Sequence, residues 1–296
     1  MITTETAFAR YECLRPMLPQ AQFPEASRRG ATLEDTMGDY DAYILDAFGV
    51  LNRGEAPIPG AVERIARLRA AGKRLVVLTN AASYTRSGVL AKYHRLGFDF
   101  SLEEVVSSRD VAFAHLPTVH GVWAAITDGE DDLSDLPPGH YGADLLAQPD
   151  LMNTAAGFLF LSSARWSHEA NARLKRALHF HARPIIVANP DLVAPRDDGL
   201  SIEPGWYAQD IASACGLSLF GKPFPNAFDA ALERLSGIPR QRIAMVGDTL
   251  HTDVLGGAAA GLGTVLILEH GLFRGLSPAP FIASSGIQPA WLVDST

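Results

Sequence analysis

The sequence predicts an α/β fold: a doubly wound parallel sheet of the Rossmann type, interrupted by a second, inserted α/β module. Three observations carry this. Between residues 39 and 115, apolar runs ending in polar turns alternate with segments of helical periodicity. A second alternating region, residues 116–213, is bordered by the loop-rich stretches DGEDDLSDLPPG and PRDDGLSIEPG. From 214 to 296 the first pattern resumes, as expected when a module is inserted between two halves of one sheet.

Residues 1–38 read as an N-terminal arm, with short helical stretches interrupted by Pro16, Pro19 and Pro24. DAYILDAFGV (41–50) is an apolar run closing on an acidic turn. PGAVERIARLRAAG (59–72) has apolar residues at helical spacing and a Gly stop, and KRLVVLTN (73–80) is a second buried strand. Strand, helix, strand over that length predicts a parallel unit with a right-handed crossover. In the inserted module, VHGVWAAI, AGFLFLS and RPIIVAN read as strands, whereas YGADLLAQ and SHEANARLKRALHFHA read as helices. Beyond it, FPNAFDAALERLSG is an amphipathic helix, RIAMVGD a buried strand, DVLGGAAAGL a small-residue helix and TVLILEHG another buried strand.

With 33 acidic and 25 basic side chains the net charge is −8, and no Lys/Arg-rich run occurs, which argues against a nucleic-acid partner. A small anionic substrate needs only local positive charge, a helix N-terminus or a metal. Cys13 and Cys215 stand far apart and outside any metal-ligand spacing, fitting free thiols in a reducing compartment. No basic start followed by an apolar run, and no apolar stretch of about 18 residues, is present, so a cytoplasmic protein without a membrane span is expected.

In open parallel sheets the ligand crevice lies beyond the carboxyl ends of the strands. Asp46 ends the run YIL, Thr79 and Asn80 end LVVL, and Asp248 ends IAMVG, so three strands aim polar side chains at one place. The set suits phosphoryl transfer through a covalent carboxylate. A carboxylate and a phosphate repel each other and need cations to meet. Asp46 and Asp248 offer the oxygen ligands a hard divalent ion prefers, Lys222 adds a point charge, and the Thr79 hydroxyl with nearby backbone amides can hold phosphoryl oxygens. Asp253 can orient metal-bound water or Lys222, or can simply be an acid favoured in a helix's first turn.

These motifs resemble the haloacid dehalogenase superfamily of aspartate-nucleophile hydrolases. The inserted module resembles the C2-type cap of its class IIA, NagD-like members. Asp46-Ala47-Phe48-Gly49-Val50-Leu51 matches the first motif, Thr79 and Asn80 the second, Lys222 the third, and Asp248 with Asp253 the fourth. Asn189-Pro190-Asp191 matches a segment that follows the last cap strand, which makes Asn189 and Asp191 candidate substrate-binding residues. The resemblance implies Mg²⁺, held by Asp46, Asp248 and the backbone carbonyl at Phe48, with Asp46, Thr79, Asn80, Lys222 and Asp253 as catalytic residues. It also implies a small phosphorylated substrate, such as a sugar phosphate, nucleotide, or aryl or acyl phosphate, and a homodimer formed through the caps.

Phe48 departs from the family's pattern, which places a second aspartate there as general acid and base. A phenyl ring transfers no proton. Three readings stay open: a phosphatase of altered scope, a binding or regulatory protein that keeps the pocket but turns over poorly, and a carbon–halogen hydrolase, since some dehalogenases have an aromatic residue at this position. His251 is a candidate for the missing proton, against a solvated loop histidine. Trp123, Trp166 and Trp206, and the spaced Phe220, Phe224 and Phe228, read as packing residues. Loss of a general acid costs about 10²- to 10⁴-fold and weighs most on poor leaving groups. Phe48→Asp is therefore expected to accelerate alkyl phosphate hydrolysis more than aryl phosphate hydrolysis; equal effects in steady-state assays would contradict the proton-donor argument.

Overall fold

The computed structural model describes residues 2–196, 198–212 and 216–296; Cys215 lies outside them. Seven strands form one parallel sheet in the order 28–32, 291–295, 263–267, 243–247, 42–45, 74–79, 105–107. From Ala42–Leu45 the chain winds outward through Arg74–Thr79 and Val105–Ser107. It then returns to Ile243–Gly247 and winds the other way. The reversal falls between Ala42–Leu45 and Ile243–Gly247, so Asp46 and Asp248 follow adjacent strands at the switch point, where such sheets open a crevice.

All four residues of Ala42–Leu45 are buried, because helices cover both faces of the sheet. Tyr43 and Leu45 join a cluster with Leu75, Val77 and Ile65; Ala42 and Ile44 join Val76, Leu78 and Phe228 on the other face. This period-two division is the strand geometry itself. The helix Ala61–Ala70 buries Ala61, Ile65 and Leu68, and the helix Pro225–Arg234 buries Ala227, Phe228 and Ala231, as their spacing predicts.

The inserted module is a second all-parallel sheet, ordered 217–219, 185–187, 157–160, 122–126, 141–144. Two expectations are corrected here. Tyr141–Asp144, read as helical, pairs as an edge strand with Val122–Ala125, and the residues after it form a turn. The strand Leu217–Leu219 belongs to the cap sheet, so sheet membership runs past the expected boundary at residue 213. Trp123, Trp166, Trp206, Phe220 and Phe228 are buried, and Phe224 partly so. Trp123, Leu159 and Ile186 of the cap share one apolar cluster with Ile44 and Leu78 of the core.

The N-terminal segment contributes to the core. Its helix Thr4–Leu14, capped by Thr3, buries Ala7, Phe8 and Tyr11, and Arg28–Thr32 forms the edge of the seven-stranded sheet beside Trp291–Ser295. The helix lies against cap and core together. Arg10 reaches Gln209 and the Trp206 carbonyl of the cap at 2.7 and 2.6 Å, while Thr4 donates to the Leu272 carbonyl of the core at 2.8 Å.

A second tie joins core to cap. Arg109, fully buried on the helix Ser108–Ala114, donates to Asp135 at 2.6 and 2.9 Å, to both carboxylate oxygens of Asp131, and to the Ala82 carbonyl. Removing one partner of such a group strands the other buried charge, at a cost of about 3–5 kcal/mol. Arg109→Met is expected to lower unfolding free energy by about that amount in urea titration; a change within about 0.5 kcal/mol would show that the pairing contributes nothing to stability.

Candidate functional site

The site grows out of four strand ends. After Ala42–Leu45, Asp46 donates its amide to the Val246 carbonyl at 2.9 Å, continuing the pairing one residue beyond the strand. The chain then turns sharply: Asn52 donates to Ala47 at 3.0 Å and Gly49 donates to Asn52 at 2.9 Å. That bridge leaves the carbonyl of Phe48 itself without a hydrogen bond among the described residues. Gly49 has φ +76°, and a Cβ there would come within 2.8 Å of the Asp248 carboxylate, so both backbone and space demand glycine.

Lys222 is the centre of the arrangement. Its side chain is 1% exposed, with Nζ 2.5 Å from Asp46 and 2.8 Å from Asp253. Asn80 clasps the same loop from the neighbouring strand: its Oδ1 accepts from the Lys222 amide at 2.8 Å, and its Nδ2 donates to the Lys222 carbonyl at 3.0 Å and to Asp191 at 2.9 Å. One amide side chain thus joins the core strand, the lysine loop and the cap. Gly221, at φ +120°, passes so near Asn80 that a Cβ would sit 2.6 Å from its Oδ1. Thr79 accepts from the Ala81 amide at 3.1 Å.

Asp248 ends the strand Ile243–Gly247 and accepts from Thr249 Oγ1 at 2.9 Å and the Leu272 amide at 2.8 Å. Asp253 lies in a single π-helical turn, Leu250–Val254, from which its Oδ2 accepts the amides of Asp248 and Thr249 at 3.2 and 3.1 Å. Such turns re-aim side chains at functional positions. Asp253 is thereby committed to the loop and to Lys222, while Asp46 and Asp248 keep free lone pairs. One ligand oxygen from each of these three acids lies within 4.8 Å of the others.

The electrostatics follow from burial. Desolvation raises the Asp46 carboxyl to about 6, against the opposing pull of Lys222. Desolvation and then the charges of Asp253 and Asp46 raise Asp248 to about 8. Asp191 is likewise pushed well up by burial. Carboxylates so closely spaced, sharing one ammonium, hold more negative charge than that ammonium balances. An all-oxygen donor set of this kind fits a hard divalent cation, which Asp46 and Asp248 would hold.

Beside this cluster a cavity of about 230 Å³ opens between core and cap, lined by Phe48, Ala82, Asn189, Asp191, Arg196 and Glu203 among others. Both predicted cap residues line this cavity. Asn189 donates to Glu203 at 3.1 Å, and Asp191 is held by Asn80. His251 is neither a solvated loop residue nor a visible proton source. It is 1% exposed, 2.5 Å from Glu12 of the N-terminal helix, stacked on Tyr11 and edge-on to Phe8. Tyr11, a site neighbour invisible to motif reading, accepts the Leu192 amide at 3.0 Å. The sequence signal for Arg196 was slight: a basic residue in a loop-rich stretch of the cap.

The sequence model of haloacid dehalogenase-like hydrolases matches residues 43–134, and a second, HAD-hydrolase-like model matches residues 219–294. Human (Homo sapiens) glycerol-3-phosphate phosphatase is 31% identical over 266 residues, covering 78% of this chain and 80% of the relative. A possible sugar phosphatase of the HAD superfamily from Cytophaga hutchinsonii superimposes with a TM-score of 0.80 at 27% identity, over 91% of this chain and 98% of that one. NagD from Escherichia coli K-12 shares the fold at a TM-score of 0.64 and 24% identity, over 86% and 96% of the two chains. With the switch-point aspartates and the buried lysine in place, the chain belongs to the haloacid dehalogenase-like hydrolases, and with its inserted parallel-sheet cap it has the fold of NagD.

Proposed function

We propose that the protein is a Mg²⁺-dependent phosphatase that works through an aspartyl-phosphate on Asp46 and acts on a small phosphorylated metabolite. The observation that carries this reading is the Lys222 ammonium set between Asp46 and Asp253, with Asp248 alongside. The matched relatives named as phosphatases support it. Lys222 holds Asp46 in place for attack on phosphorus and balances charge on the incoming phosphate. Asp253 fixes Lys222, and Asn80 fixes the backbone on both sides of it. Thr79 offers its hydroxyl to a phosphoryl oxygen. A bound Mg²⁺, held by Asp46, Asp248 and the Phe48 carbonyl, would neutralise the remaining negative charge. The cap, through Asn189 and Asp191, faces the remainder of the substrate.

The class resemblance supports a homodimer built through the caps, and the two widely spaced cysteines support a cytoplasmic setting. No helix among the described residues is long and apolar enough to cross a membrane.

Phosphate release from p-nitrophenyl phosphate is expected to require Mg²⁺ and to vanish in Asp46→Asn. Absence of turnover of any phosphate ester between about pH 5 and 8 would instead favour a binding role. Chloride release from 2-chloroacids without metal would instead establish a dehalogenase.

The raised carboxyls provide a readout free of turnover. Asp46 at about 6 and Asp248 at about 8 lie above the unfolded value near 4, so the metal-free folded chain binds protons that the unfolded chain releases. The stability they contribute is full below about pH 4 and is lost as pH rises through about 6 and then about 8. In EDTA, Asp248→Asn is expected to melt above the wild type at about pH 8.5 and to approach it as pH falls toward about 4. A wild type that is the more stable of the two at the higher pH would refute this linkage.

A further inference from the structure

Phe48 carries more than a missing carboxylate. The Arg196 guanidinium lies over its ring, Cζ 4.7 Å from the centroid, and Lys92 Nζ approaches the same ring at 4.7 Å. The negative face of an aromatic ring attracts cations in this way, most strongly where water is excluded. Lys92 is buried and paired with Glu55 at 3.2 Å, which leaves it as support for the ring. Arg196 belongs to the cap hairpin Val193–Arg196/Gly199–Ile202 and lines the cavity. Its Nε donates to Ser201 Oγ at 3.0 Å and one terminal nitrogen donates to Glu203 at 3.2 Å. Glu203 in turn accepts from Ser201 at 2.7 Å and from Asn189 at 3.1 Å. Phe48, Ser201 and Glu203 thus fix the plane of a guanidinium whose other terminal nitrogen makes no hydrogen bond among the described residues.

With the phosphoryl group held at Asp46 and Lys222, the adjoining space open to the leaving group is the cavity lined by Phe48 and Arg196. We infer that Arg196 is a catalytic residue of the cap, donating N–H hydrogen bonds to the leaving-group oxygen as the bond to phosphorus breaks. The inference rests on the phosphatase reading. In the step, an Asp46 oxygen forms its bond to phosphorus while the phosphorus–oxygen bond of the ester breaks. The electron pair goes to the departing oxygen, whose charge Arg196 stabilises until that oxygen takes a proton from solvent water. A guanidinium is a hydrogen-bond donor and a fixed positive charge, so it offers electrostatic stabilisation of the departing oxygen where a carboxylic acid would offer a proton. The ring at position 48 is then the platform that seats the donor, where a carboxylate would be an acid.

The test is leaving-group dependence. Wild type, Arg196→Gln and Arg196→Lys are compared in kcat/KM over aryl phosphates of graded phenol pKa and one alkyl phosphate. Arg196→Gln is expected to lose about 10²- to 10³-fold on the alkyl ester, as for a lost oxyanion donor, and at least tenfold less on p-nitrophenyl phosphate, steepening the plot. Arg196→Lys, which keeps the charge without the planar fork, is expected to fall between them. Equal losses across the series in Arg196→Gln, or a wild-type slope in both variants, would overturn the inference and leave the phosphatase reading standing. A wild type inert on every ester, with folding confirmed by its thermal transition, would instead overturn the phosphatase reading.

Discussion

An ammonium group with 1% exposure can persist only where carboxylates surround it, and Lys222 sets the terms on which the rest of the site is built. Its neighbours raise its pKa despite burial, so it stays charged throughout the working range. That charge requires Asp46 and Asp253 to converge from two strand ends, and it requires the loop bearing it to be rigid. Asn80 supplies that rigidity by bonding the backbone of Lys222 twice and spending its remaining contact on Asp191 of the cap. The cap is therefore registered to the core through the same residue that registers the lysine, and a shift in one is felt by the other.

Phe48 acquires a different meaning in that setting. Replacing a carboxylate with a ring removes one negative charge from a place already crowded with Asp46, Asp248 and Asp253. In exchange the ring accepts Lys92 and Arg196. Each cation keeps its acid, Lys92 with Glu55 and Arg196 with Glu203, and the ring adds a quadrupole contact that uses none of their N–H donors.

Much of this was legible in the sequence because the chemistry sits where apolar runs stop. Asp46, Asn80 and Asp248 each follow a buried strand and Thr79 closes one, and a period-two or fully apolar pattern marks such strands clearly. Tyr141–Asp144 escaped because YGAD is a short edge strand, half-exposed and without β-branched residues, and DLLAQ after it mimics a helix. Arg28–Thr32 escaped for a similar reason: RRGAT has no apolar face to show. The partners of His251 and Arg196 were out of reach for a different reason. Glu12 lies 239 positions from His251, and the Phe48 ring meets Arg196 only because an inserted domain folds back over the sheet. Periodicity speaks of local structure, and these contacts are set by topology.

The helix Thr4–Leu14 touches the chain beside each of three acids: Leu192 after Asp191, His251 between Asp248 and Asp253, and Leu272, whose amide holds Asp248. These partners stand 181, 239 and 268 positions downstream. During synthesis this helix must wait, with Phe8 and Tyr11 unsatisfied, until the chain as far as Leu272 has emerged. Closing such distant contacts is slow, and the acid loops gain this buttress last. A nascent chain halted short of residue 272 can pair the strands around Asp46 and still lack the brace that steadies its partners.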